Sequence, residues 1–170
     1  MNRVGTGYDL HRLVENRDLI LGGEKIDYHL GLDGHSDADV LLHALIDAML
    51  GAAALGDIGS HFPPGDSRYR GISSLKLLEE TAVILARENW QLLNADSVII
   101  AEKPLLAPYT GKMAANIAGA LSVPLRRISV KATTTEGLGV CGREEGIAAQ
   151  AAVLLEEKDA RQKSLKLEAR

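Results

Sequence analysis

One segment constrains this chain more than any other. Residues 36–54, SDADVLLHALIDAMLGAAA, carry apolar side chains on nearly every side of a helix, among them Val40, Leu41, Leu42, Leu45, Ile46, Met49 and Leu50. A helix that is apolar all round must be buried on most sides. The rest of the chain must therefore enclose it. Ser36 followed by Asp39 predicts the helix start as a capping box with Asp in place of Glu or Gln, and Gly56 predicts its stop just beyond Ala54.

With 170 residues and 46% apolar content, the chain fits one domain with a real core. Aromatics are only 4%, so aliphatic side chains must fill it. A net charge of -4 leaves no basic footprint for nucleic acid. Cys141 is the single cysteine, which excludes an internal disulfide and a multi-cysteine metal cage and suits a reducing compartment. The first residues hold no apolar stretch of signal-peptide length, and no run approaches the ~20 apolar residues of a membrane helix. The expectation is a soluble cytoplasmic protein.

Around the central helix, 3–10 reads as a first strand and 18–29 as a hairpin turned at Gly22-Gly23. Residues 57–71 read as a loop, broken by two prolines and three glycines. Helices are predicted over 73–89 and 110–121, strands over 94–102 and 126–132, and a Gly- and Thr-rich loop over 133–146. Residues 147–157 fit strand or helix on periodicity alone. The expected fold is α+β: a single domain over 1–157 with one mixed sheet, a β-hairpin in it and helices packed on one face, then a charged tail over 158–170.

Asp9 and His11 are spaced i, i+2, which puts both side chains on one face of a strand. His43 lies inside the apolar helix, with Asp39 and Asp47 at i−4 and i+4 on its face. Two histidines and a carboxylate form a common zinc set with positions left open for substrate. Asp47 is a candidate partner to orient the His43 ring. The plainer alternative is a hydrogen-bonded core histidine, but an ionisable group inside such a helix is costly unless paired. His35 and Ser36, at the helix start, suit an anion, and simple capping by Ser36 is the alternative. Lys131, Thr133, Thr134, Thr135 and Glu136 follow a strand and suit phosphate oxygens, with Glu136 placed to hold a hard cation such as Mg²⁺. Strand propensity alone also explains the threonines. Asp57 and Gly59 open the long loop, where the aspartate suits ribose hydroxyls or merely a turn.

Three blocks in order, GYDLHRL (7–13), GHSDADVLLHALIDAMLGAAALGDIGSHFP (34–63) and KATTTEGLGVCGREEGIAA (131–149), resemble the 2-C-methyl-D-erythritol 2,4-cyclodiphosphate synthase family of the non-mevalonate isoprenoid pathway. The resemblance spans roughly residues 1–157. It implies a homotrimer with active sites between subunits and a cytidine diphosphate-linked substrate. It implies Zn²⁺ on Asp9, His11 and His43, and phosphate contacts from His35 and Ser36. Ribose contacts map onto Asp57 and Gly59. Thr133, Thr134 and Glu136 form the Thr-Thr-x-Glu segment, with Mg²⁺ or Mn²⁺ on Glu136 bridging two phosphates. The cytosine pocket maps onto Ala101 through Leu106, including Leu105, and onto Ala132. Arg143 is retained for an anion pocket on the trimer axis. The implied reaction is that of a phosphorus–oxygen lyase: a 2-phosphate closes onto a diphosphate and CMP leaves.

Three positions depart from the family pattern. Leu105 stands where members commonly carry Lys after Pro, Pro64 follows the Phe-Pro of the long loop where an acidic residue is frequent, and Gln150 replaces an axial Glu. Two rival readings use the same residues. One is a sensing module that binds CDP and zinc without turnover. The other is a zinc hydrolase with Asp39 or Asp47 as general base.

Overall fold

The computed structural model describes residues 1–158. The expected tail lies outside the described residues from 159 onward. The strands are β1 (Asn2–Val14), β2 (Leu19–Leu21), β3 (Glu24–Ile26), β4 (Gly31–Leu32), β5 (Trp90–Ile100), β6 (Ile128–Thr133) and β7 (Gly146–Glu157). The helices are α1 (Val40–Ala53), α2 (Ile58–His61), α3 (Ser74–Arg87), α4 (Thr110–Ala120) and α5 (Gly139–Gly142). Five strands form a mixed sheet in the order β4-β1-β7-β5-β6. Only β5 and β6 run parallel; the other neighbours are antiparallel.

Segment 147–157, ambiguous on periodicity, is a strand because it has partners on both edges. β7 pairs with β1 from Asn2↔Glu156 to Arg12↔Gly146 and with β5 from Trp90↔Glu157 to Ile100↔Ala148. The hairpin forms where expected, with Gly22 and Gly23 at φ 58° and 69°, the left-handed pair that a tight two-residue turn demands. It does not join the main sheet, contrary to the one-sheet expectation: β2 and β3 make a separate two-stranded sheet. Leu19, Leu21 and Ile26 instead anchor it in the core. The loops 57–71 and 133–146 each hold a short helix, α2 and α5.

The start of α1 also differs from expectation. Its N-cap is Asp39, whose side chain accepts from Leu42 N, and Ser36 lies outside the helix. Ala38 takes φ 58°, a left-handed turn that breaks the helical path before Asp39. Both oxygens of Asp39 are used, because Oδ2 accepts from Gly23 N at 2.7 Å. The carboxylate thus joins the hairpin turn to the helix start.

α1 lies across β1 and β7, on the face formed by odd-numbered residues of both strands. The approach is close enough to exclude side chains. A Cβ on Gly7 would sit 2.0 Å from the Ala44 carbonyl oxygen, and one on Gly5 2.1 Å from that of Ala48. Gly7 is two residues from Asp9 on the same face, and Ala44 follows His43. Gly7→Ala is therefore expected to push α1 off β1 and cost about 1–3 kcal/mol, in the range of an overpacked core. Chemical denaturation measures it; unchanged stability would show that the helix can shift freely.

Among the described residues no helix covers the face of β1 and β7 that carries their even-numbered residues. Val4, Tyr8 and Leu10 are exposed there, Val4 by 72%. Gln150 pairs with Tyr8 in register and is exposed on the same face.

Candidate metal centre

Asp9 and His11 emerge from β1 toward α1, and His43 points back from the second turn of the helix. The ligand atoms of the three residues lie within 4.8 Å of one another. Asp9 Oδ2 is 2.9 Å from His11 Nε2 and 3.0 Å from His43 Nδ1. The two ring nitrogens are 3.1 Å apart. Among the described residues this is the one cluster able to hold a metal ion.

The outer nitrogens decide whether the set fits a cation. His11 Nδ1 faces the Asp33 carbonyl oxygen, which can only accept. Nδ1 therefore carries a proton and donates to that carbonyl, which leaves Nε2, 2.9 Å from Asp9 Oδ2, as the nitrogen a cation would take. His43 Nε2 lies 3.0 Å from Ser74 Oγ and 3.1 Å from Ser36 Oγ. Asp47 does not orient this ring, as its i+4 spacing suggested; its Oδ1 accepts from Ile58 N at 2.7 Å and pins the start of α2. Once their inward nitrogens give up their protons, the two rings and the carboxylate would make a three-ligand set with room for a fourth group.

Burial opposes charge on Asp9, but the hydrogen bonds and charges of His11 and His43 outweigh it and hold the carboxyl well below the usual range. Burial also disfavours a charged His11, and Asp9 more than reverses this, raising it. Burial pushes Asp39 up to about 6 against the pull of the Gly23, Gly22 and Leu42 amides. Asp39 is wholly buried with both oxygens occupied, so it cannot act as a general base on a ligand. Asp47, raised by burial, does line the adjoining cavity.

That cavity has a volume of about 260 Å³ and is walled by the three ligand residues, His35, Ser36, Gly59, Phe62, Pro64 and Tyr69 among others. His35 Nε2 contacts the Asp66 carbonyl oxygen at 3.3 Å. Asp57 caps α2, accepting from Ser60 N and Ser60 Oγ.

The remaining expected residues form a second cluster. At the C-terminal ends of the parallel strands, Ala101 N donates to Thr133 O, and Gly137 N donates to Glu102 Oε2. Glu136 takes φ 52° and accepts from Thr134 Oγ1 at 3.1 Å. Thr133, Thr134 and Ala132 are exposed at this edge, as is Leu105, while Ala101 and Leu106 are buried. Such an edge is where open sheets with parallel strands take ligands. It is remote from the metal ligands within one chain, because β7 and β5 stand between β1 and β6. In register Asp9 faces Ala149, Ala149 faces Ile99 and Ile99 faces Ala132. Three strand spacings amount to roughly 14 Å. Arg143 is exposed at the surface and paired with Glu145 at 2.7 Å.

Arg17 was not singled out by the sequence. Its guanidinium donates to the Gly34 and Ser36 carbonyls at 2.8 Å and fixes the loop that carries His35. Ser74 and Asp37 were missed as well. Their partners are distant in sequence, so no local spacing pointed to them.

Fold and site together define a mixed-sheet α+β domain with a two-histidine, one-carboxylate cluster beside a cavity and a second, threonine-rich sheet edge. The chain belongs to the YgbB family, whose model matches residues 2–156. It is 59% identical over 155 residues to the 2-C-methyl-D-erythritol 2,4-cyclodiphosphate synthase of Syntrophomonas wolfei, covering 91% of this chain and 99% of that protein. A solved 2C-methyl-D-erythritol-2,4-cyclodiphosphate synthase in a CDP-bound form superposes with a TM-score of 0.83 at 38% identity, covering 91% of this chain and 100% of that one. The bifunctional IspDF of Campylobacter jejuni gives a TM-score of 0.90 at 42% identity over 94% of this chain, which spans 43% of that longer protein.

Proposed function

We infer that this chain cyclises 4-diphosphocytidyl-2-C-methyl-D-erythritol 2-phosphate to 2-C-methyl-D-erythritol 2,4-cyclodiphosphate with release of CMP, in isoprenoid precursor synthesis. By class it is a phosphorus–oxygen lyase. The observation that carries the reading is the convergence of Asp9 Oδ2, His11 Nε2 and His43 Nδ1 in a protein of this family. Residues 1–157 form the synthase domain. The buried Cys141 and the absence of any long apolar helix among the described residues support a cytoplasmic setting.

Phosphoryl transfer needs positioning and charge neutralisation more than acid–base chemistry. Asp9, His11 and His43 would hold Zn²⁺, which when bound supplies Lewis-acid polarisation of a phosphate oxygen. His35 and Ser36, on the cavity wall, contact the attacking end of the substrate. Asp57 and Gly59 take the ribose. Thr133 and Thr134 bind the diphosphate, and Glu136 would hold Mg²⁺ or Mn²⁺, which would supply charge neutralisation for the leaving CMP phosphate. The loop from Ala101 through Leu106, with Ala132, holds the cytosine; Leu106 is buried, so it contributes there through backbone. Leu105 is exposed and leaves that backbone free, which accommodates its departure from lysine. Arg143 serves an anion on the assembly axis.

A substrate of this size cannot span two clusters three strands apart while both grip one diphosphate. Completion by a second copy of the chain resolves this, and the uncovered face bearing Val4, Tyr8 and Leu10 provides the surface for it. We read the assembly as a homotrimer, since cyclic closure hides such a face completely. Light scattering at micromolar concentration is expected to give about three chain masses. A fully active, concentration-independent monomer contradicts shared sites.

The reaction is tested by incubating purified protein with the diphosphocytidyl substrate and analysing products. The cyclase yields CMP and no orthophosphate. Orthophosphate would favour a hydrolase using Asp47, and binding without turnover would favour a sensing module.

A further inference from the structure

The loop after β4 and the start of α3 are zipped together. Asp37 N donates to Ile72 O and Gly71 N donates to His35 O. Within this junction Asp37 Oδ2 accepts from Ser74 N at 2.9 Å, while Ser74 Oγ donates to Asp37 Oδ1. Ser74 Oγ in turn lies 3.0 Å from His43 Nε2. Ser74 is fully buried and Ser36 nearly so, so water does not compete for these contacts.

We propose that Asp37 and Ser74 are positioning residues that set the tautomer of His43 and thereby prepare its Nδ1 to bind metal. The argument is a count of protons. A serine hydroxyl has one proton. An ionised carboxylate only accepts, so that proton is committed to Asp37. Ser74 Oγ is left able only to accept from His43. Nε2 therefore keeps its proton, and the hydrogen that gives way when a metal binds is the one Nδ1 shares with Asp9 Oδ2. His11 achieves the same with a backbone carbonyl, whose polarity no substitution changes. His43 depends on two side chains, which makes its state mutable. Partners of this kind, one step removed from the ligands, are generally worth a factor of 10–100 in metal affinity.

Two substitutions act differently. Ser74→Ala removes the acceptor, but Ser36 Oγ at 3.1 Å can still take the Nε2 proton. A zinc affinity loss of about tenfold is expected. Asp37→Asn keeps an oxygen for Ser74 N but turns an amide donor on Ser74 Oγ. The hydroxyl proton then swings to His43 Nε2 and favours the Nδ1–H form. That places a proton where the metal binds, and a loss nearer a hundredfold is expected. Ser74→Thr restores the hydroxyl and the affinity.

The inference rests on the metal reading above, and the experiment separates the two. Zinc ion is titrated against a competing chelator in wild type, Ser74→Ala, Asp37→Asn and Ser74→Thr, each shown folded by circular dichroism. Two-bond proton–nitrogen spectra of the metal-free proteins report the His43 tautomer. Support requires the stated affinity losses, recovery with threonine, and a shift toward Nδ1–H in Asp37→Asn. If wild type itself binds no zinc, the metal assignment fails. If wild type binds zinc and the folded Ser74→Ala and Asp37→Asn proteins match it in affinity and tautomer, the relay alone is overturned. In that case Asp37 serves only to cap α3, a role that moves melting temperature and not zinc affinity.

Discussion

A His43→Ala protein is expected to emerge from purification without tightly bound zinc and without measurable turnover. The substitution removes one of three converging ligand atoms. It also leaves Asp9 with a single imidazole partner and strips the Ser36 and Ser74 hydroxyls of theirs. Two ligands on one strand, Asp9 and His11, do not make a stable zinc site, because structural and catalytic sites use three or four. Some loss of stability should accompany the loss of metal, since binding to the native state alone is folding free energy. Metal analysis per chain, on protein shown folded by circular dichroism, measures the outcome. One zinc per chain in this variant would remove His43 from the ligand set.

Glu136→Gln is expected to leave zinc content and assembly mass unchanged while turnover falls on the order of a hundredfold or more, as when a main electrostatic stabiliser is lost. Glu136 sits beyond the C-terminal ends of β5 and β6, away from Asp9, His11 and His43, in a left-handed turn braced by Thr134 Oγ1. A cation there would be held by one carboxylate, phosphate oxygens and water, the usual magnesium arrangement. Glutamine keeps the size and removes the charge, so excess Mg²⁺ should recover part of the rate through the phosphates alone. A magnesium titration of both proteins decides. Coincident midpoints and equal maximal rates would mean that Glu136 only braces its loop.

The cluster of Asp9, His11 and His43, which could hold a metal, was legible in the sequence because each member rests on a short-range rule. Alternation on a strand pairs Asp9 with His11, and a lone histidine in an apolar helix must find a partner. The surroundings of His43 were not legible. Spacing along α1 favoured Asp47, but helical periodicity says only which residues share a face, not which nitrogen of the ring they reach. The real partners, Ser36 and Ser74, arrive from a loop and from another helix. Ser36 was misplaced as a helix cap because a left-handed Ala38 carries no sequence signal, unlike glycine at such a turn. Residues 147–157 were ambiguous for a similar reason. Their strand identity comes from ladder partners on β1 and β5, more than 45 residues away in sequence. The hairpin was legible from Gly22-Gly23, whereas its separation from the main sheet follows from how α1 is enclosed.

The central claim is that the metal cluster and the threonine-rich edge serve one nucleotide-linked substrate. Crystals grown with zinc and soaked with CDP test it most directly, through an anomalous difference map at the zinc edge. The account predicts one peak bounded by Asp9 Oδ2, His11 Nε2 and His43 Nδ1, at roughly 2.0–2.2 Å from each. It also predicts the CDP diphosphate between that peak and Glu136 of a second chain. A peak elsewhere, or CDP bound away from both clusters, would contradict it.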